Sequence, residues 1–147
     1  MIKLSTGLVS NVLGYNGITA MMNRGVIHVY TGEQPASANA APTGIKLGYI
    51  SRGGLPFVPN QGTNGLIITQ RLNGSLADDG EWYLTGLVTG AAGWWRFKWV
   101  NNDPDTDSSY YPRLDGDVSE ALHLPTNTIQ AGETVRIDEF NMTFGVC

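Results

Sequence analysis

The sequence has one cysteine, and it is the last residue, Cys147. An intramolecular disulfide is therefore excluded, and the fold has to be held by burial and hydrogen bonding alone. That suits folding in a reducing compartment. Charge is also scarce: Asp, Glu, Lys and Arg make up 15% of the chain, where about 25% is usual. The nine Lys and Arg are scattered and the net charge is −4, so the basic patch of a nucleic-acid surface is missing. No apolar run approaches the ~18 residues of a membrane span. The opening residues Met1-Ile2-Lys3-Leu4-Ser5 lack the apolar core of a signal peptide. The expectation is a single domain with no nucleic-acid or membrane partner.

Glycine is plentiful, at 19 residues, without the three-residue period of a collagen helix. Many glycines fall between short apolar runs, which reads as short elements joined by turns. Leu8, Val12, Leu13, Ile18, Met21 and Met22 recur at helical spacings. Gly14 and Gly17 interrupt them, each at a cost of about 1 kcal/mol in a helix interior. This predicts a short helix near 17–23 with a looser lead-in, closed by Gly25 in the left-handed position past its end. Residues 26–30 are β-branched and aromatic and read as a strand. Residues 31–44 form a small-residue loop with two prolines, and Ile45, Leu47 and Tyr49 alternate as a second strand. Residues 66–69 read as a short buried strand.

Residues 82–88 and 94–100 flank Thr89-Gly90-Ala91-Ala92-Gly93 and read as a hairpin. In its second strand Trp95, Phe97 and Trp99 share one face, and Trp94, Arg96, Lys98 and Val100 the other. The first face is expected in the core, because cations sit badly inside, and Trp94 is expected to be exposed. Residues 101–117 read as a polar loop. Residues 134–146 read as a long strand whose apolar phase flips at Asp138-Glu139. Either a one-residue bulge restores one face, or the strand crosses between two environments. The fold class expected is mainly β, a β-sandwich or jelly roll with a short N-terminal helix. Residues 1–25 would be an N-terminal arm with its helix, and 26–147 the β-sandwich domain.

Chemistry is thin. His28 and His123 are isolated, one in a strand and one in an apolar patch, and a metal or catalytic site needs a constellation. No Gly-x-Ser-x-Gly elbow occurs, and a thiol at the chain end, Cys147, is hard to surround with an oriented base. Asp103, Asp105 and Asp107 have the spacing of a calcium loop. The glycine and glutamate that such a loop wants are replaced by Ser108 and Leu114, which leaves these three acids as weak candidates and turn capping as the plainer reading. Trp82, Trp94, Trp95 and Trp99 beside these acids would suit a sugar-stacking platform, against the plainer role of filling core and contacts. No catalytic residue, no metal and no cofactor is expected, and the chain is read as non-enzymatic.

Met1-Ile2-Lys3-Leu4-Ser5-Thr6-Gly7-Leu8 and the stretch 25–44, GVIHVYTGEQPASANAAPTG, resemble small virion-associated proteins of tailed bacteriophages. The match covers about the first third of the chain. The resemblance implies a structural component of the virion, assembled in the host cytoplasm. It favours a capsid decoration or cement protein that clamps neighbouring major capsid subunits and forms a homo-oligomer. A tail or tail-tip component, or a carbohydrate-binding module, are the alternatives. The expected partners are the major capsid protein and the chain itself. The interface candidates are Pro35, Ala36, Ser37, Ala38, Asn39, Ala40, Ala41 and Pro42 of the loop, with Trp94.

Overall fold

The computed structural model of the chain describes residues 1–14, 25–52, 60–62, 65–69, 71–72, 75–76, 82–99, 103–137 and 139–142. In chain order the strands are β1 (Lys3–Leu4), β2 (Gly25–Tyr30), β3 (Lys46–Arg52), β4 (Asn60–Gly62), β5 (Gly65–Thr69), β6 (Arg71–Leu72), β7 (Ser75–Leu76), β8 (Trp82–Gly86), β9 (Gly90–Ala91), β10 (Trp94–Trp99), β11 (Arg113–Asp117), β12 (Leu122–His123), β13 (Thr128–Ile129), β14 (Thr134–Arg136) and β15 (Glu139–Met142). One helix, α1 (Thr6–Gly14), is present among the described residues. The expected mainly β class holds. The larger sheet runs β1-β11-β10-β2-β3-β8-β14 and a smaller one runs β12-β15-β5-β4, with β13-β9 and β6-β7 as short pairs. Neighbouring strands are antiparallel throughout the larger sheet.

The larger sheet turns a continuous apolar face toward the core. The row Leu114, Phe97, Ile27, Ile50, Leu84 runs across five strands, and Gly116, Trp95, Val29, Gly48, Gly86 forms the row beside it. Ile27, Val29, Ile50, Trp95, Phe97 and Leu114 are fully buried. Each such side chain contributes roughly 1.5–3 kcal/mol by leaving water. The register slips between Val29 and Tyr30, so that Leu47 joins Ile50 in the apolar cluster. Phe140 of the smaller sheet lies edge-on to Trp95 at 4.9 Å and to Phe97 at 6.3 Å. Leu8 of α1, Leu122 and Ile137 complete this core. The Trp95 indole lies flat over Gly116, where a Cβ would strike the ring, and its Nε1 donates to the carbonyls of Asp117 and Glu120.

Four expectations change. The helix starts at Thr6, in the stretch expected to be a loose lead-in. Ser5 caps it: its Oγ accepts from Leu8 N at 3.1 Å and its carbonyl from Val9 N. The helix expected near 17–23 lies outside the described residues, and Gly25 opens β2 rather than closing a helix.

The hairpin expected between 82–88 and 94–100 does not form. β8 pairs with β3 and β14, and β10 pairs with β2 and β11, so the β2–β3 hairpin is inserted between them. The connection crosses the end of that inserted hairpin. Leu87 N and Val88 N donate to Leu47 O, and Gly93 N donates to Tyr30 O. Gly93 passes so close to the Gly32 carbonyl that a Cβ would collide with it. A loop of hairpin length fixes only proximity of its ends, and burial of both strands on two faces selected other neighbours.

The polar loop expected over 101–117 ends early, since 113–117 is strand β11 between β1 and β10. The C-terminal segment leaves the larger sheet after Arg136 and enters the smaller one at Glu139. Of the two readings of its phase flip, the crossing between environments holds. Ile137 is buried at that crossing, and residues 143–147 lie outside the described residues.

Candidate functional site

The opposite face of the larger sheet is charged, and it is buried where β10 meets β11 while His28, Tyr49, Thr85 and Asp117 are half-buried. Antiparallel register places Asp115, Arg96, His28, Tyr49 and Thr85 in one cross-strand row, Asp117, Trp94 and Tyr30 in the next, and Arg113, Lys98 and Val26 on the other side. Arg96, Arg113, Asp115 and Trp94 are 0% exposed and Lys98 3%. The expectation that this face of β10 points to water, with Trp94 exposed, is therefore overturned. The reason is pairing: a buried charge is tolerated when a partner and hydrogen bonds replace its water.

Arg96 donates Nε and Nη2 to both oxygens of Asp115, each at 2.7 Å. Arg113 donates Nε to Asp103 Oδ2 at 2.6 Å and Nη2 to Oδ1. The Lys98 ammonium meets Asp105 Oδ2 at 2.6 Å and the carbonyl of Asp103 at 3.0 Å. Tyr30 stacks on Trp94 with centroids 4.5 Å apart, and the Arg96 guanidinium lies 5.4 Å from the centre of the Trp94 ring. His28 Nδ1 lies 3.3 Å from the Tyr30 hydroxyl. Arg96 Nη1 and Asp105 Oδ1 are buried without a hydrogen-bond partner among the described residues.

Two loops roof this face. The 31–45 loop is closed at its base by Thr31 N to Ile45 O and Ile45 N to Thr31 Oγ1. It is fastened to the sheet by Trp94 Nε1 to Thr43 O and by Lys3 Nζ to Pro35 O. The 103–112 loop is tied to it by Ser108 N to Asn39 O at 2.7 Å and Ala41 N to Asp107 Oδ1 at 2.7 Å. Arg113 reaches the carbonyls of Asn39, Ala40 and Thr106 as well as its carboxylate. Asn39 also exchanges two hydrogen bonds with Thr6, at the start of α1. Ser5, fully buried, donates to Tyr111 O and accepts from Arg113 N. The N-terminal segment is thereby bonded directly into the sheet.

The electrostatics follow from this packing. Burial pushes the Asp103 carboxyl up, but Arg113, the Asp105 N–H and Lys98 outweigh it and hold the group below the usual carboxylate range. Burial disfavours the Arg113 charge, and Asp103 more than compensates. Burial raises Asp115 above its ordinary value, with Arg96 opposing. Burial, reinforced by Lys98 and Lys46, lowers His28 to about 4. Burial also raises the Tyr30 phenol.

Asp103, Asp105 and Asp107, the weak metal candidates, point to three different partners: Arg113, Lys98 and the Ala41 N–H. Among the described residues no group of three His, Cys, Asp or Glu is placed to hold a metal ion. Of the interface candidates, Pro35, Ala38 and Trp94 are buried, Asn39, Ala40, Ala41 and Pro42 half-buried, and Ala36 and Ser37 exposed. With Trp94 and Trp95 both buried, the sugar-stacking platform loses these two indoles. The side chains of Trp82 and Trp99, and Cys147, lie outside the described residues. His123 is exposed on β12 of the smaller sheet, whereas His28 is on β2 of the larger one.

Sequence reasoning missed Ser5, Arg96, Arg113 and Asp115 as the joints of this face. A signal was present: Arg96 and Lys98 in one segment, and Arg113, Asp115 and Asp117 in another, share the two-residue strand period with mostly opposite charge. No helix among the described residues is long and apolar enough to cross a membrane. No protein family, curated protein or solved structure matches the chain.

Proposed function

We propose that the chain is a non-enzymatic structural protein of a tailed-bacteriophage virion, a capsid decoration or cement protein that binds across neighbouring major capsid subunits and associates with its own copies. Its fold is read here as a sandwich, with the smaller sheet laid on the apolar face of the larger through Phe140. The observation that carries the functional reading is the state of the 31–45 loop. A connection of this length without secondary structure is uncommon unless it is functional. This one is fastened along its length to the sheet and to the 103–112 loop, and presents Ala36, Ser37, Thr43 and Ile45 outward. A loop already held in one conformation loses little entropy on docking, and small side chains let a flat neighbour approach closely. The same loop carries the resemblance to virion-associated proteins. A protein that binds only the assembled shell stabilises that shell by linkage.

Quantitative mass spectrometry of purified virions, with cryo-electron microscopy of the particle, tests the reading. The expected result is copy number near that of the major capsid protein, with density for the 31–45 loop on the capsid exterior. A few copies per particle located at the tail would replace it with the tail reading, and absence from the virion would end both.

A further inference from the structure

Arg96 is fully buried and only partly matched. Nε and Nη2 form one edge of its planar guanidinium, and the two oxygens of Asp115 fill that edge. Trigonal geometry at Cζ then points Nη1 away from this carboxylate. Nη1 is buried without a hydrogen-bond partner among the described residues. Across the sheet from Asp115, on the other side of Arg96, the register places His28 of β2. Tyr30, stacked on Trp94, brings its hydroxyl to 3.3 Å from His28 Nδ1. Asp105 Oδ1 is likewise buried without a partner, while its other oxygen holds Lys98. Of the charges acting on the Tyr30 hydroxyl, those of Asp105 and Arg96 act most strongly, so both groups with an unpartnered atom flank the same phenol.

The chemistry of these atoms selects what joins them. Nη1 needs an acceptor and Oδ1 needs a donor. Burial keeps the Tyr30 phenol protonated and, with Lys98 and Lys46, keeps the His28 ring neutral at pH 7. The phenol donates its proton to Nδ1, and its oxygen has a lone pair left to accept. An anion would accept from Nη1 and offer nothing to Oδ1. It would also add an unmatched charge, because Arg96, Lys98 and Arg113 are paired one to one with Asp115, Asp105 and Asp103. A cation would suit Oδ1 and be repelled by Arg96. Water is neutral, both accepts and donates, and when buried makes about three hydrogen bonds.

We propose that this face contains a binding site for one structural water molecule, which accepts from Arg96 Nη1 and donates to Asp105 Oδ1 and Tyr30 Oη. The water pins the 103–112 loop to β10 and β2 and completes the hydrogen bonding of two buried charged groups, each of which is costly to leave unsatisfied.

Crystallography of the full chain, with and without a bromide soak, tests this. The expected result is water density within about 3.2 Å of Nη1, Oδ1 and Oη, with no anomalous signal after the soak. A bromide peak at Nη1, a direct bond from Nη1 to a protein atom, separate waters on Nη1 and Oδ1, or no density at Nη1 would each overturn the proposal. Tyr30→Phe retains the ring that stacks on Trp94 and removes Oη, and the water is expected to lose occupancy relative to wild type. Unchanged position and occupancy in that variant would overturn the three-way site. Should Tyr30→Phe not fold, the wild-type density decides alone.

Discussion

Ile27, Phe97 and Leu114 on one face of the larger sheet, and His28, Arg96 and Asp115 on the other, alternate along the same three strands. Around β10 and β11 both faces are shielded from water, by different means. The apolar face packs against Phe140, Leu122 and Leu8, and its energy is spread over many non-directional contacts. The charged face is sealed by loops, and its energy is concentrated in three ion pairs with defined geometry. Small losses of contact on the first are shared among neighbours. On the second, removing one group leaves a buried charge with nothing to replace its water.

The comparison breaks most sharply at Asp115. Asp115→Ala leaves Arg96 buried and unmatched and is expected to cost about 3–5 kcal/mol in urea unfolding. Replacing both partners, Arg96→Met with Asp115→Leu, is expected to recover most of that loss, because apolar groups of similar volume need no partner. Phe97→Ala on the apolar face is expected to cost about 3–5 kcal/mol through lost transfer energy and the cavity left behind. There, no single substitution at Phe140 should rescue it. Equal recovery on the two faces would remove the distinction.

The next effect depends on pH. A histidine whose folded pKa is depressed costs stability as pH falls, because the unfolded chain binds the proton first. For His28 the loss begins near pH 6.5, grows toward pH 4 and then levels off, for a total of about 3 kcal/mol. Asp103, held low, keeps its contribution until the pH drops below the ordinary carboxylate range. Urea curves at stepped pH should show a wild-type decline that His28→Gln lacks. A smaller effect is expected at the joint with the helix. Ser5→Ala removes the cap of α1 and the acceptor for Arg113 N, for about 2 kcal/mol. The smallest stability effect is at the loop tip. Ala36→Glu, exposed and unbonded to the charged face, should change stability by less than about 0.5 kcal/mol while abolishing capsid binding in a co-sedimentation assay. Undiminished capsid binding would remove the loop from the proposed interface.

Much of the fold was legible. Val26 to Tyr30 is a strand because β-branched and aromatic side chains fill a pleated surface, and the alternation of Trp95 and Phe97 marked the core face correctly. Alternation reports which residues share a face but not whether the other face is wet. Residue type alone assigns Arg96 and Lys98 to water because charges usually stay there, and their partners lie outside their own strand, Asp115 on β11 and Asp105 in the turn after β10. The hairpin between β8 and β10 failed for a related reason. Local turn chemistry predicts a hairpin loop between them, whereas the inserted β2–β3 pair belongs to an earlier part of the chain. The phase flip at 138–139 was visible, and only the position of the second sheet decided between bulge and crossing.

By itself the sequence determined the β character, the breaks between strands, the apolar phase of each strand and the absence of disulfide support, since these depend on residue type and near neighbours. The tertiary structure decided which strands meet, and with that which charges are paired and dry. A charge finds its partner through space, and neither the strand order nor the roofing loops can be read from residues a few positions apart.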